Sequence, residues 1–305
     1  MNEIFEIIFS ANFGYSVLRV ATPILFAALA SLISLKVGIL NIAIEGMMLT
    51  SALMAVVVSA FSGNIWLGLI TGVFTGGLIG LILVYFSLKL KTNTTLTGIA
   101  LNLMAGGGTV FLLYIVSGNK GISSSLQSGV LPNIDLPLIN KIPIIGEILS
   151  GHNVLTYIAL LMVIVIYYFI YKTPLGFKIR AVGENPDAAD SVGINLMKIR
   201  YIAVIISGAL AGFGGTYMSM SYVSWFSRNM SAGRGFIGIA AESMGGGTPI
   251  GTFIATLIFG FADALSNNLQ FLKIPSELIQ MIPYILTIIG VVLIPLIHKK
   301  RNINK

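Results

Sequence analysis

The 305-residue chain contains no cysteine and only two histidines, His152 and His298. The lack of cysteine excludes a disulfide framework, a thiolate metal site and a cysteine nucleophile, and two histidines are too few for a histidine-based metal centre. We therefore expect neither a metal nor a cofactor. A phosphate-binding Gly-x-x-x-x-Gly-Lys-Ser/Thr run is also missing, so the chain is not expected to hydrolyse ATP itself.

Charge is scarce as well. Only 10% of the residues are charged, 56% are hydrophobic, and the mean hydropathy is +0.93. Because a soluble domain carries about a quarter charged residues, this composition predicts a membrane protein. At about 20 residues per crossing, the length leaves no room for a soluble catalytic domain. The predicted fold is an all-α, polytopic membrane bundle of about eight to nine spans, forming one domain over residues 1–305.

Long runs with little or no charge mark the spans. The piece at 236–247 is too short to cross as a regular helix and ends in three glycines, so we predict a broken or re-entrant helix there. Residues 1–14 alternate acidic and apolar side chains, which predicts a helix lying at the membrane interface. The full-length spans are expected at 15–35, 39–61, 65–88, 94–117, 154–171, 201–222, 249–268 and 278–297.

The distribution of lysine and arginine predicts the orientation. With the N-terminus outside, twelve of the 18 basic residues fall on the cytoplasmic side, as the positive-inside rule requires. Residues 118–153 are then an extracellular loop, 172–200 are cytoplasmic, and the tail 298–305 is cytoplasmic. Nine crossings result if 236–247 crosses, and seven if 236–268 returns to its own side; both remain open. The net charge of +7 is thus explained without a nucleic-acid partner.

Glycines recur at about four-residue spacing on one face of two spans. Such faces allow helix backbones to approach closely in lipid, where no hydrophobic force drives helix association. They predict a compact bundle and are typical of many polytopic proteins, so they inform the fold and not the function. The two sets are Gly72, Gly76 and Gly80, and Gly208, Gly212 and Gly215.

One cytoplasmic stretch, residues 172–200, is both long and polar. It holds eight of the 29 charged residues, which are 18 basic and 11 acidic. Asn185 followed by Pro186 is a helix start signal and Gly193 a stop signal, so a short helix is predicted between them. The exposed element is rich in small residues rather than charge, which favours docking onto another protein over a solvated loop.

Three stretches of the chain resemble one family. Residues 172–200, with Thr-Pro-Leu-Gly at 173–176 and Arg-Ala-Val-Gly at 180–183, resemble the coupling segment of permease subunits of ATP-binding-cassette importers, and we call them the coupling segment. The branch concerned carries simple sugars, nucleosides and branched-chain amino acids. Residues 38–49 resemble its early-span motif, and residues 275–287 resemble the last span of its nucleoside-type members. One departure is Glu-Ser-Met-Gly-Gly-Gly-Thr-Pro at 242–249, where nucleoside-type members have a Phe-Gly-x-Trp-x-Pro-like run.

The resemblance implies a mechanism and partners. Two permeases form the pathway in a bacterial plasma membrane, and two cassette ATPases bind to their cytoplasmic faces. An extracellular binding protein delivers the substrate. A heterodimer with a longer paralogue is expected, with a homodimer as the alternative. Nucleosides rank first as substrate, followed by simple sugars, riboflavin-like compounds and branched-chain amino acids. The residues implied in ATPase coupling are Gly176 and Gly183 at turns, Arg180 as a partner contact, Ala188 and Ala189 on a close docking surface, and Asn185 and Gly193 at its ends.

Polar residues within spans are the candidates for the substrate path, since burying a charge at membrane depth costs at least about 2.5–3.5 kcal/mol. Asn41 and Glu45 lie four apart, which predicts one shared helix face directed into one polar cavity. For Glu45 the alternative is a structural role, in an ion pair or in a hydrogen bond to the broken helix. Glu242 precedes the triple glycine, and broken helices tend to surround binding sites; Arg234 is its suggested partner. The full set is Asn41, Glu45, Asn102, Glu242, Asp263 and Asn267.

Two other classes of membrane protein fit less well. An ion-coupled secondary transporter would normally show internal repeats and paired intramembrane charges, and neither is clear here. An intramembrane enzyme needs two catalytic groups close together, whereas Asp263 is the one aspartate within a span and His152 lies in the external loop. No catalytic residue is therefore predicted.

Overall fold

The computed structural model describes residues 10–137, 142, 145–269 and 285. The predicted last span 278–297, the tail 298–305 and residues 1–9 of the interfacial helix lie outside them. Seven of the described helices are long and apolar enough to cross a membrane. The elements are α1 (Ala11–Lys36), α2 (Ile44–Ser62), α3 (Ile65–Val84), α4 (Thr94–Ser117), β1 (Asn133–Ile134), α5 (Ile145–Leu149), β2 (His152–Asn153), α6 (Val154–Lys172), α7 (Pro174–Glu184), α8 (Pro186–Ser191), α9 (Leu196–Met220), α10 (Arg234–Met244) and α11 (Pro249–Leu269).

Four of the long helices begin directly after an asparagine. The Oδ1 atoms of Asn64, Asn93, Asn153 and Asn195 accept backbone N–H groups of the following turn at 2.9–3.1 Å. These side chains satisfy donors that have no partner within the helix, and so they fix where α3, α4, α6 and α9 start. The cap at Asn195 explains why α9 begins five residues before the predicted span at 201.

The second span begins later than predicted, at Ile44 instead of residue 39. Gly38 adopts a left-handed φ of 81°, and the Oδ1 of Asn41 accepts the Ala43 N–H at 3.1 Å, so residues 37–43 form a non-helical connection. We call these residues the junction. Because Asn41 precedes the helix that carries Glu45, the prediction that these two residues share a helix face is wrong.

Helices α3 and α9 pack with their backbones in direct contact. A Cβ atom on Gly76 would meet the carbonyl oxygen of Gly208, and one on Gly208 would meet that of Gly76. Gly72 lies instead against the side-chain hydroxyl of Thr216 on α9. The predicted glycine faces are confirmed, and they pack against each other, except that Gly215 packs against Met48 of α2.

A proline inside α1 leaves one backbone acceptor free. Pro23 has no N–H to donate to the carbonyl of Arg19, four residues earlier. The hydroxyl of Tyr217 on α9 donates to that carbonyl oxygen at 2.9 Å. The proline therefore creates a specific hydrogen bond between two spans instead of an unsatisfied carbonyl group.

The bundle has two ends, which we name the Lys36 face and the Tyr222 face. At the Lys36 face the coupling segment packs against the end of α1, because Gly183 lies against the Lys36 carbonyl. At the Tyr222 face, β1 pairs with β2 and the buried His152 ring stacks on Tyr15, with ring centroids 3.9 Å apart. Burial at this face lowers the pKa of the His152 imidazole.

The short helix α10 lies alongside α1. Its contacts follow α1 from Ala27, beside Gly238, to Lys36, beside Gly247. Helix α11 then returns along α1 in the opposite direction, since Gly260 packs on Ala21. Residues 221–247 thus lead from the Tyr222 face to the Lys36 face, half as irregular chain and half as α10. This path by itself does not return to its own side, and the last span that the nine-crossing alternative needs lies outside the described residues.

Candidate coupling and translocation site

The coupling segment folds as two short helices. Thr173 caps α7 through a 3.1 Å hydrogen bond from the Gly176 N–H to its Oγ1, and Asn185 caps α8 through a 3.0 Å bond from the Ala188 N–H to its Oδ1. Each helix has proline at its first turn. Gly193, with a φ of 80°, follows the end of α8. The helix predicted between Asn185 and Gly193 is therefore confirmed.

The turns expected at Gly176 and Gly183 are absent, because both glycines lie inside α7. Because these glycines have no side chain, neighbouring backbone can pack closely against them. A Cβ on Gly176 would meet the Phe169 carbonyl oxygen, and one on Gly183 would meet the Lys36 carbonyl oxygen. The contact at Gly183 joins the coupling segment to the beginning of the junction, a link that no local sequence signal predicted.

The outward surface of α8 differs from the one inferred from the sequence. Ala188 is exposed, but Ala189 is only 3% exposed and packs into its own chain. Just after α8, Val192 is 75% exposed, an unusual environment for a large apolar side chain on a polar segment. The guanidinium of Arg180 lies over the ring of Tyr171, 5.1 Å from its centroid, and also over the ring of Phe177. The exposed surface of this segment therefore includes Ala188, as expected, and Val192, which the sequence did not single out.

Two of the candidate path residues hold the junction in place. Asn41 is fully buried, and its Nδ2 donates to the Oγ of Ser207 on α9 at 3.0 Å. Asn102 on α4 accepts the Gly46 N–H at 2.8 Å and donates to the Ile42 carbonyl at 2.9 Å. These bonds tie the junction and the start of α2 to both α9 and α4.

Glu45 caps α10 from a distant part of the chain. Its two carboxylate oxygens accept the N–H groups of Gly233 and Gly235, at 2.8 and 2.7 Å. Gly233 stands at the N-cap position of α10 and has no side chain with which to cap it. A carboxylate is favoured at a helix N-terminus, where unpaired N–H groups and the helix dipole carry positive charge. The arrangement stabilises an acidic group that would otherwise be costly at this depth.

A second acidic residue reaches the same helix start. The Nη2 of Arg234 lies 3.4 Å from the Oδ2 of Asp263 on α11. The suggested pairing of Arg234 with Glu242 is therefore wrong. Glu242 is 4% exposed and lies at the other end of α10, where it and Lys36 both approach Gly247.

The six candidate path residues thus fall into separate groups. Glu45 and Asp263 converge on the start of α10, while Asn41 and Asn102 hold the junction. Glu242 lies beside Lys36, and Asn267 is exposed near the end of α11. The chain therefore gathers polar groups at both ends of the broken helix and not in one cavity.

The sequence matches the family described as the permease component of a branched-chain amino acid transport system over residues 15–291. The chain belongs to this family of multi-pass membrane permeases. As a permease subunit, it is one component of a transport system. Such systems pair it with an ATPase and a substrate-binding protein, and related permeases occur together within one organism.

Three relatives illustrate the similarity. The guanosine permease NupQ of Bacillus subtilis is 34% identical over 303 residues, which cover 94% of this chain and 92% of NupQ. TsgC13 of Haloferax volcanii, named for glucose transport, is 34% identical over 88% of this chain and 81% of its own length. A second guanosine permease of Bacillus subtilis, NupP, is 28% identical, with 87% of this chain matching 77% of NupP.

Proposed function

We propose that this chain is the nucleoside-translocating permease of an ATP-driven importer and catalyses no reaction itself. The observation that supports a nucleoside as the substrate is the similarity to NupQ, named for guanosine, which extends over 92% of that protein. The resemblance of residues 275–287 to the last span of nucleoside-type permeases supports the same substrate. Simple sugars are the second candidate because TsgC13, named for glucose, is equally identical over a smaller share of its length.

The importer is proposed to contain a second, longer permease. NupQ and NupP occur in one organism and both resemble this chain, but the match spans 92% of NupQ and only 77% of NupP. This pattern supports a pair of unequal subunits, with this chain as the shorter one. The Lys36 face, rich in basic residues, is assigned to the cytoplasm of a bacterial cell and to the ATPase. The Tyr222 face is assigned to the exterior and the binding protein.

Coupling is proposed to run from α8 to α10 through the junction. The ATPase moves α8 and α7, and Gly183 transmits the movement to the Lys36 carbonyl, against which it packs. The junction follows directly and leads into the first turn of α2, where Glu45 holds the start of α10. Packed backbone and short hydrogen bonds form each step of this route. Movement at the coupling segment thereby shifts the broken helix.

The substrate path is proposed to pass the start of α10. Glu45 and Asp263 lie there, and Glu242 lies at the opposite end of the same helix, so movement of α10 changes the polar lining at two depths. Asn41 and Asn102 fix the surrounding wall through their bonds to Ser207, Gly46 and Ile42. Asn267, exposed near the end of α11, is proposed to line the path near its outer opening.

Uptake of labelled guanosine tests the proposed function. Cells express this chain with the ATPase, second permease and binding protein encoded beside it, or with an inactivated ATPase. We expect ATPase-dependent uptake that unlabelled nucleosides compete and ribose or leucine do not. If only a sugar is taken up in an ATPase-dependent way, the substrate is a sugar and not a nucleoside. Uptake that is equal with the active and the inactivated ATPase would contradict the importer class.

The coupling assignment has its own test in Ala188→Glu. This exposed position on α8 accepts a larger side chain without disturbing the bundle, so the amount of subunit in the membrane should not change. The amount of ATPase that copurifies with it should fall at least tenfold. The matched control is Ser124→Glu, an exposed position in the external loop. Equal ATPase recovery with both variants would remove α8 as the docking helix.

A further inference from the structure

A cavity of about 590 Å³ opens on the Lys36 face, between the first turns of α7 and α9. We call it the basic pocket. Two lysines from different helices line it, Lys178 of α7 and Lys198 of α9. Its apolar lining includes Leu175, Ile194, Ile199 and Ile202.

The basic pocket carries unbalanced positive charge. No acidic residue lines it, and the one ion pair within the described part of the chain is Arg234–Asp263. Two ammonium groups beside one cavity repel each other, and an anion between them removes that repulsion. Ammonium groups bind phosphate as compact point charges. The charge therefore favours a phosphate-bearing ligand.

The apolar wall leads from the pocket into the membrane. Ile199 and Ile202 lie three residues apart and share one side of α9. They stand in the first two turns of a helix apolar enough to span the bilayer. A ligand held by Lys178 and Lys198 thus has an apolar surface beside it that points toward the hydrocarbon region. A phosphate group attached to an acyl chain matches this combination better than a free anion does.

We propose that the basic pocket binds an anionic phospholipid of the membrane leaflet at the Lys36 face. Its phosphate lies between Lys178 and Lys198, and an acyl chain follows Ile199 and Ile202. Basic groups just cytoplasmic of a membrane span attract anionic lipid headgroups. A bound lipid bridges α7 and α9, and so it braces the coupling segment against the span. The site does not depend on which solute the permease carries.

Lipid binding to the assembled transporter tests this site. The purified complex is placed in nanodiscs of phosphatidylcholine with or without phosphatidylglycerol, and the unfolding midpoint and the retained phosphatidylglycerol are measured. We expect phosphatidylglycerol to raise the midpoint of the wild type by several degrees. The double variant Lys178→Gln/Lys198→Gln should lose most of that rise and at least half of the retained lipid. The matched control is Lys89→Gln/Lys91→Gln, which removes two exposed lysines outside the pocket and should behave as the wild type.

Three results would overturn the proposal. Equal stabilisation of the wild type by inorganic phosphate or glycerol phosphate would assign the pocket to a soluble anion. An unchanged phosphatidylglycerol response in the double variant would show that the lysines hold no lipid. Loss of the ATPase from the double variant, with the lipid response intact, would make the surface a protein contact.

Discussion

The α3–α9 contact and the start of α10 both lie inside the bundle, yet they are held by opposite means. Gly76 and Gly208 bring two backbones together with no polar side chain between them. The start of α10 is held by the carboxylates of Glu45 and Asp263, which come from two different helices. One contact is packing alone, and the other is mainly charge and hydrogen bonding.

The difference separates a scaffold from a movable part. A glycine backbone contact has one geometry, because close-packed atoms leave no alternative partner at the same distance. A carboxylate at a helix N-terminus can exchange its donors for water or for other polar groups when the helix shifts. We therefore expect α3 and α9 to move together and α10 to move relative to them.

The largest expected effect is that of Gly76→Leu. The added side chain has no room against the Gly208 backbone, and overpacking of a close-packed interior costs about 1–3 kcal/mol. The purified yield and the unfolding midpoint should both fall sharply. The control is Gly106→Leu, where nothing lies within 4 Å of the new Cβ. Equal losses from both variants would mean that the backbone contact contributes little to stability.

Glu45→Gln should spare folding and impair transport. The amide retains one acceptor oxygen but loses the charge, and hydrogen bonds to charged groups contribute about 1.5–3 kcal/mol. Guanosine uptake should fall roughly tenfold, the change in a two-state population that about 1.4 kcal/mol produces. Membrane levels should be unchanged. Glu147→Gln, an exposed carboxylate on α5 and outside the coupling segment, is the control for loss of charge.

If Glu45→Gln lowered the membrane level as much as Gly76→Leu does, the start of α10 would belong to the scaffold. Wild-type uptake in Glu45→Gln would instead show that its charge has no role in transport.

Asp263→Asn should have the smallest effect of the three. Its 3.4 Å contact with Arg234 is longer than the bonds of Glu45, and partly exposed ion pairs contribute about 0–1 kcal/mol. Uptake is expected to fall two- to fivefold. The double variant Glu45→Gln/Asp263→Asn measures the coupling between the two carboxylates. Losses that simply multiply would show that they act on α10 independently.

Much of the architecture could be predicted because its signals are local. Hydropathy located the long helices within a few residues, and Asn185 with Gly193 bounded α8 as expected. The junction was missed because residues 37–43 are as apolar as a span, and only the φ of Gly38 and the bond of Asn41 reveal the break. That break separated two residues that spacing alone had placed on one face.

The sequence by itself determined that this is a polytopic membrane protein of a permease family with a short helix between Asn185 and Gly193, since composition, caps and motifs act within a few residues. The tertiary structure decided which groups meet. Glu45 bonds to Gly233 and Gly235, 188 and 190 residues away, and Gly183 meets Lys36. Spacing along the chain carries no information about such pairs, because only the packing of the helices brings them within hydrogen-bonding or van der Waals distance.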